Sequence, residues 1–150
     1  MARLPLQGIR AVNMSVVWAG PYAAWMVGSL GAEMIHIDNP HHRPDWGRGF
    51  TMWPAPGEMR SQIGGGGYVN RDVGDDPWNR YYWWTRYGWN QKACSINLGS
   101  PEGVEVFKRL IAVSDVFFEN NSASAMEHLG IGPEVLMEVN PRLICINMPA

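Results

Sequence analysis

At 150 residues the chain is long enough for one domain with a real core, a size at which folding buries roughly 68–70% of the surface of the unfolded form. Hydrophobic residues make up 46% and charged residues 17%, with a formal net charge of -2 and a pI near 6.0. That balance excludes the basic footprint of a nucleic-acid binder, and no lysine-arginine run marks an anionic membrane as partner. No apolar run reaches the ~18 residues of a membrane span, and the start, Met1 to Gly8, lacks a long apolar stretch, so a cytoplasmic location is expected. Cys94 and Cys145 lie in short apolar runs without CxxC spacing and are read as buried free thiols.

In chain order, Ile9, Ala11, Val12 and Met14 form a short apolar run after Gly8, and residues 8–14 are predicted as a strand buried in a parallel sheet. The loop Val16 to Gly20 leads to Pro21, a suitable first helical residue because its missing N–H has no partner there. The helix runs to about Leu30 and stops at Gly31; Met34 to Asp38 is a second strand, ended by Asn39-Pro40. Residues 41–92 break the rhythm. They hold six of the eight tryptophans and the run Gly64 to Gly67, and no period of 2 or 3.6 survives across them. Ala93 to Leu98 is a third strand, and Ser100-Pro101-Glu102 reads as the cap and first two residues of a helix with Val104, Phe107, Leu110 and Ile111 on one stripe. Asp115 to Glu119 is a fourth strand, 123–129 and 133–139 are short helices, and Leu143 to Met148 is a fifth strand. Strands alternating with helices predict a Rossmann-like, doubly wound α/β fold with a mostly parallel sheet and an irregular aromatic-rich insert at 41–92.

Several residues invite a chemical role. The loop 16–21 follows the first strand, where open α/β sheets receive ligands, and the following helix offers free N–H groups there. Asp38 imitates the ribose-binding acid of nicotinamide enzymes, but the G-x-G-x-x-G that should precede it is absent. The glycine run has no following Lys-Ser or Lys-Thr and reads as a hinge or lid rather than a phosphate loop. His41 and His42 are adjacent and lack a convincing acidic partner set, so no metal site is expected, and His36 within a strand reads as a core histidine. Asp115, Glu119 and Glu127 pair with nothing convincing and read as capping or surface acids. The aromatic cluster from Trp78 to Trp89, with Arg80 and Arg86 among its rings, fits packing or an acyl pocket better than base stacking, because the rest of the chain is not basic.

Four segments, in order and spacing, resemble the class III CoA-transferase family, which includes carnitine CoA-transferase, formyl-CoA transferase and the α-methylacyl-CoA racemases. They are Leu4 to Arg10 with Val17-Trp-Ala-Gly-Pro-Tyr22 and Leu30 to Asp38; Ser95 to Gly103; Asp115 to Asn120 with His128-Leu-Gly130; and Asn140 to Ile144. The resemblance covers the chain except the aromatic insert.

The resemblance implies that residues 1–150 are the N-terminal portion of a CoA-binding domain, in a subunit more than twice this length that forms an interlocked homodimer. It implies transfer of coenzyme A between carboxylic acids through an aspartate that forms a mixed anhydride and then a CoA thioester, and it places that aspartate beyond Ala150. No cofactor is expected to be tightly bound, since CoA and acyl-CoA are substrates. Carried over by position, Trp18 and Ala19 match the loop at the thioester end, Asn39 falls where an arginine for phosphate is frequent, and Ile96, Asn97 and Leu98 match the nucleotide-facing segment. Gly99 stands where some members have a lysine, Asn120 is the asparagine of Glu-Asn, Asn121 and Ser122 replace part of a Phe-x-Pro-Gly, and His128 matches a position that is often arginine. Arg43, Arg48 and Lys92 are candidates to supply the missing phosphate contacts. An acyl-CoA racemase or lyase of the same fold, and a non-catalytic CoA-binding or dimerising module, remain open beside the transferase.

Overall fold

The fold is described from a computed structural model for residues 3–38, 68, 70, 72, 74, 75 and 77–148. Its elements run β1 (Arg10–Asn13), α1 (Ala19–Ser29), β2 (Glu33–Asp38), α2 (Pro77–Arg80), α3 (Tyr82–Tyr87) and β3 (Gln91–Ser95). They continue with α4 (Pro101–Ala112), β4 (Val116–Glu119), α5 (Ala123–His128), α6 (Pro133–Val139) and β5 (Ile144–Asn147). The five strands form one sheet in the order β3-β2-β1-β4-β5 with every neighbouring pair parallel. From β1 the chain winds first toward β3 and then, from β4, toward β5, which is the doubly wound arrangement the alternation of elements predicts.

Side-chain alternation explains why helices cover both faces. Ala11, Met34 and Phe118 point to one side, where Ala24 of α1 closes over them with Ala23 and Val27. Val12, Ile37 and Phe117 point to the other and meet Phe107 and Ile111 of α4, Met126 of α5 and Leu136 of α6. A parallel strand with both faces buried must be apolar almost throughout, and that composition made the strands visible in the sequence. Phe107 and Phe117, both essentially without exposure, meet edge to face with centroids 5.6 Å apart.

Helix starts follow the expected chemistry in the second half. The Ser100 hydroxyl accepts from the Gly103 N–H at 3.1 Å, Pro101 opens α4, and Glu102 lies in its first turn. Gly103 is required by close approach, since a Cβ there would sit 1.9 Å from the Asn97 carbonyl oxygen. In the first half, α1 begins at Ala19, two residues before the predicted start, so Pro21 occupies the third helical position. The first four N–H groups of a helix lack intrahelical partners, so the earlier start loses no hydrogen bond. Gly31 takes φ +105° just past α1, as the turn into β2 needs.

Three expectations need correction. The stretch 41–92 is not irregular throughout, because α2 and α3 lie within it and β3 begins at Gln91 rather than Ala93. Aromatic packing fixes α3 where no sequence period announces it: Tyr68, Tyr81 and Trp83 bury one another with Tyr87 against them. The third strand also ends early, at Ser95. There the Asn97 Oδ1 accepts from the Gly99 N–H at 3.1 Å and turns the chain toward α4. Lastly, Cys145 is exposed rather than buried, because β5 is the edge of the sheet that the described residues form, where Ile144 is also exposed. Partial burial of the thiol, and then the Glu119 carboxylate, nevertheless raise its pKa above the ordinary 9.0, so it is not an activated nucleophile.

At the amino ends of the strands Glu33 joins three of them, accepting from Lys92 Nζ of β3 at 2.5 Å and from Arg10 Nε of β1 at 2.7 Å. The Lys92 hydrogen bond, then that of Arg10, lower the Glu33 carboxyl from 4.5 to about 2. A lowered carboxylate adds stability above its unfolded value and loses it as pH falls through the folded one. Glu33→Gln is therefore expected to lower the urea midpoint at neutral pH and to match wild type near pH 2, which a pH series of urea unfolding curves checks. In the core, Phe107→Ala should destabilise the fold by about 3–5 kcal/mol by the same measurement. Gly103→Ala should cost about 1–3 kcal/mol, because backbone rather than a yielding side chain blocks the new methyl.

Candidate functional site

The reversal of strand order between β1 and β4 leaves the loops after these two strands diverging at the carboxyl edge of the sheet. In open α/β sheets this is the crevice that receives ligands. Residues 14–18 form one wall, held from three sides. The Met14 N–H donates to the Phe118 carbonyl at 2.8 Å, and Asn121 Nδ2 donates to the Met14 carbonyl at 3.4 Å. Asn13 Oδ1 accepts from the Ser15 N–H at 3.0 Å and from the Ser15 hydroxyl. Asn120, on the other wall, accepts the Val16 N–H with its Oδ1 and donates Nδ2 to the Val16 carbonyl, both at 2.7 Å.

Beyond these anchors Val17 stands at φ +71°, a left-handed conformation uncommon for a β-branched residue. Trp18 occupies the position just before α1 with no side-chain cap, and Ala19 begins the helix. Helix α1 therefore presents unpaired N–H groups and the positive end of its dipole to the crevice. Gly20 permits the approach, because a Cβ there would lie 2.1 Å from that of Ser15.

Aromatic residues of the 41–92 stretch form the flank. The Trp18 ring, half exposed, meets Trp83 edge-on with centroids 4.0 Å apart, and Tyr22 meets Tyr87 at 6.0 Å. Helix α3 is also tied to the sheet, since Gln91 Nε2 donates to the Tyr87 carbonyl at 2.6 Å. Gln91 Oε1 accepts from Asn13 Nδ2 at 3.2 Å, and the same amide lies 3.3 Å from His36 Nδ1. His36 is buried against Trp84 at 5.3 Å between centroids, the core position its place in a strand suggested. The space between α3 and the sheet is only about 10 Å³, at most one water, so this flank is packed rather than hollow.

The sequence-predicted residues fall into three groups. Trp18, Ala19, Asn97, Gly99, Asn120, Asn121 and Ser122 lie in the loops after β1, β3 and β4, at one edge of the sheet. Ile96 and Leu98 belong to the same loops but turn their side chains into the core, leaving backbone for any ligand contact. Ser122 is engaged as the cap of α5, accepting from the Ala125 N–H at 3.3 Å. His128 ends α5, about 9 Å of helix from that edge. Asn39, Arg43, Arg48, His41, His42 and the glycine run lie outside the described residues. Lys92 is the one substitute cation the structure places, and it corrects the expectation: it sits near the amino end of β3, bound to Glu33, away from the crevice.

An open cavity of about 890 Å³ lies at the amino ends of the strands, between Arg3, Arg10, Glu33, Lys92 and Asp115. Size does not make it the better site. Glu33 engages both Arg10 and Lys92, and the Asp115 carboxylate accepts the Arg10 N–H at 2.8 Å, so its charges are spent on holding strands together. Among the described residues no group of three His, Cys, Asp or Glu could hold a metal ion, and no helix is long and apolar enough to cross a membrane.

Among the anchors, the sequence reading missed Asn13 and Ser15. Asn13, polar at the end of an apolar strand, was the available signal; the Trp18–Trp83 contact joins residues too far apart for any local pattern to show.

Comparison with known proteins places this arrangement. The chain is 32% identical over 145 residues to the succinyl-CoA–L-malate CoA-transferase beta subunit of Chloroflexus aurantiacus, covering 97% of this chain and 30% of that protein. It is 31% identical over 140 residues to succinyl-CoA:glutarate CoA-transferase of Homo sapiens, covering 93% of this chain and 27% of the relative. The chain thus spans about a third or less of the length of the curated relatives it matches. A CAIB/BAIF family protein from Brucella suis shares the fold with a TM-score of 0.73 at 23% identity, over 97% of this chain and 33% of that one. The family model described as CoA-transferase family III matches residues 6–150, and the chain belongs to that family.

Proposed function

We propose that the protein carrying this chain transfers coenzyme A between carboxylic acids, and that residues 1–150 supply the wall against which CoA lies. One observation carries this reading: the loops after β1, β3 and β4 all lie at the carboxyl edge of a sheet whose order reverses between β1 and β4, with the N-terminus of α1 turned toward the crevice there. The names of the relatives, all acting on CoA thioesters of carboxylic acids, support the chemical class.

The roles follow from position. Backbone N–H groups at Trp18 and Ala19 stand where they can hydrogen-bond the thioester end, as dipoles fixed in advance of any charge that develops there. Ile96 to Gly99 and Asn120 to Ser122 contact the nucleotide, Ile96, Leu98 and Asn120 through backbone alone. Asn39 and His128 take the phosphate side, with fewer cations than the family pattern implies. The aromatic flank of Trp18, Trp83 and Tyr87 borders the acyl side, where packed rings favour exclusion of water. The acyl group is passed to an aspartate outside these 150 residues, as the resemblance implies, so this segment binds CoA without turning it over. The working unit is a homodimer.

Titrating the protein with CoA should raise its unfolding free energy by about 2.7 kcal/mol at one hundred times Kd, read as a thermal shift. No shift in a folded sample would count against a formed pocket. Residues 1–150 alone should give that shift yet show no CoA transfer from an acyl-CoA to a free carboxylate. Replacing 41–90 by a short linker in the full-length protein should change the ratio of rates among acyl donors; an unchanged ratio would reduce the aromatic stretch to packing.

A further inference from the structure

We infer that Asn120 is the positioning residue of the β1–α1 loop, setting the conformation in which Val17 and Trp18 meet CoA rather than binding CoA with its own side chain. The functional half of this inference rests on the CoA reading above; the conformational half stands on geometry alone.

A side-chain amide has one acceptor oxygen and two N–H donors. In Asn120 both ends are directed to one peptide neighbour: Oδ1 accepts the Val16 N–H at 2.7 Å and Nδ2 donates to the Val16 carbonyl at 2.7 Å. The pair reproduces the two-bond exchange of opposed residues in a sheet, made here by a side chain after both strands have ended. It joins β1 to β4 across the point where the strand order reverses.

The next residue shows what this pair does. Val17 holds φ +71°, and a β-branched side chain keeps such a conformation only when its surroundings over-determine it. On one side Val16 is fixed by Asn120; on the other, the Trp18 carbonyl accepts the Tyr22 N–H at 3.1 Å in the first turn of α1. The Trp18 ring against Trp83 completes the constraint. Without the amide pair, one of these supports is gone, Val17 relaxes to an ordinary negative φ, and Trp18 swings away from Trp83. A direct CoA contact would instead require the Asn120 amide to give up at least one bond of the pair.

The test uses the full-length protein with Asn120→Ala and Asn120→Asp. Two indoles in edge contact give an exciton couplet in far-ultraviolet circular dichroism, and Trp83→Phe defines the spectrum without it. Asn120→Ala should lose the couplet and weaken CoA binding about tenfold or more, the expected effect of losing two hydrogen bonds that fix a binding loop. Asn120→Asp keeps the acceptor for the Val16 N–H and should fall between, which also decides the matter if the alanine variant does not fold. Glu33→Gln, destabilised at the amino edge of the sheet away from the loop, should keep both couplet and CoA affinity. A couplet unchanged in both Asn120 variants overturns the positioning role. A lost couplet with unchanged CoA affinity overturns the link to binding. If wild type itself fails to bind CoA, the proposed function falls, and the couplet alone still decides whether Asn120 sets the loop.

Discussion

The pairing of β1 with β2 on one side and with β4 on the other is the constraint from which the rest of the structure follows. Parallel strands cannot be joined by tight hairpins, so each connection must cross a face of the sheet, and every loop that follows a strand ends at the same edge. With β1 in the middle, the two directions of winding separate the loop after β1 from the loop after β4 and open a crevice between them. The same winding places α1 on one face and α4 and α6 on the other, so that apolar residues on both sides of the central strands are buried. Fold and crevice thus have one cause.

The two ends of the sheet use polar chemistry differently. At the amino edge, charged groups satisfy one another: Glu33 draws Arg10 and Lys92 together and is itself kept ionised by them. At the carboxyl edge the loops after β1 and β4 are held mainly by the amides of Asn13, Asn120 and Asn121, with the Glu119 carboxylate accepting the Asn121 N–H at 2.6 Å. The cavity at the amino edge, lined by charges that already pair with one another, therefore has less to offer a ligand than the crevice opposite.

Much of this was legible in the sequence because parallel strands and capped helices leave local signatures. Runs such as Val116-Phe-Phe118 can be apolar only if both faces are covered, and Ser100-Pro101-Glu102 states its own helix start. Helix α3 escaped because aromatic contacts fix it, not a repeated spacing. Cys145 was misplaced because an apolar run does not reveal that its strand is an edge. In the site, resemblance named loops that the fold sets along one edge of the sheet but could not distinguish a residue that faces outward from one that holds a loop. Ile96 and Leu98 are core residues, Ser122 is a cap, and Lys92 belongs to the far edge. Those distinctions depend on side-chain direction, which spacing alone leaves open wherever the chain is neither strand nor helix.

Membership of CoA-transferase family III and the position of the crevice lead to one central claim, that CoA lies along the carboxyl edge between the loops after β1, β3 and β4. Amide hydrogen exchange with and without CoA tests it most directly. The account predicts slowed exchange in residues 16–22, 96–99 and 120–122, with the amides around Arg10, Glu33 and Lys92 unchanged. Protection centred instead on the cavity at the amino ends of the strands would contradict it.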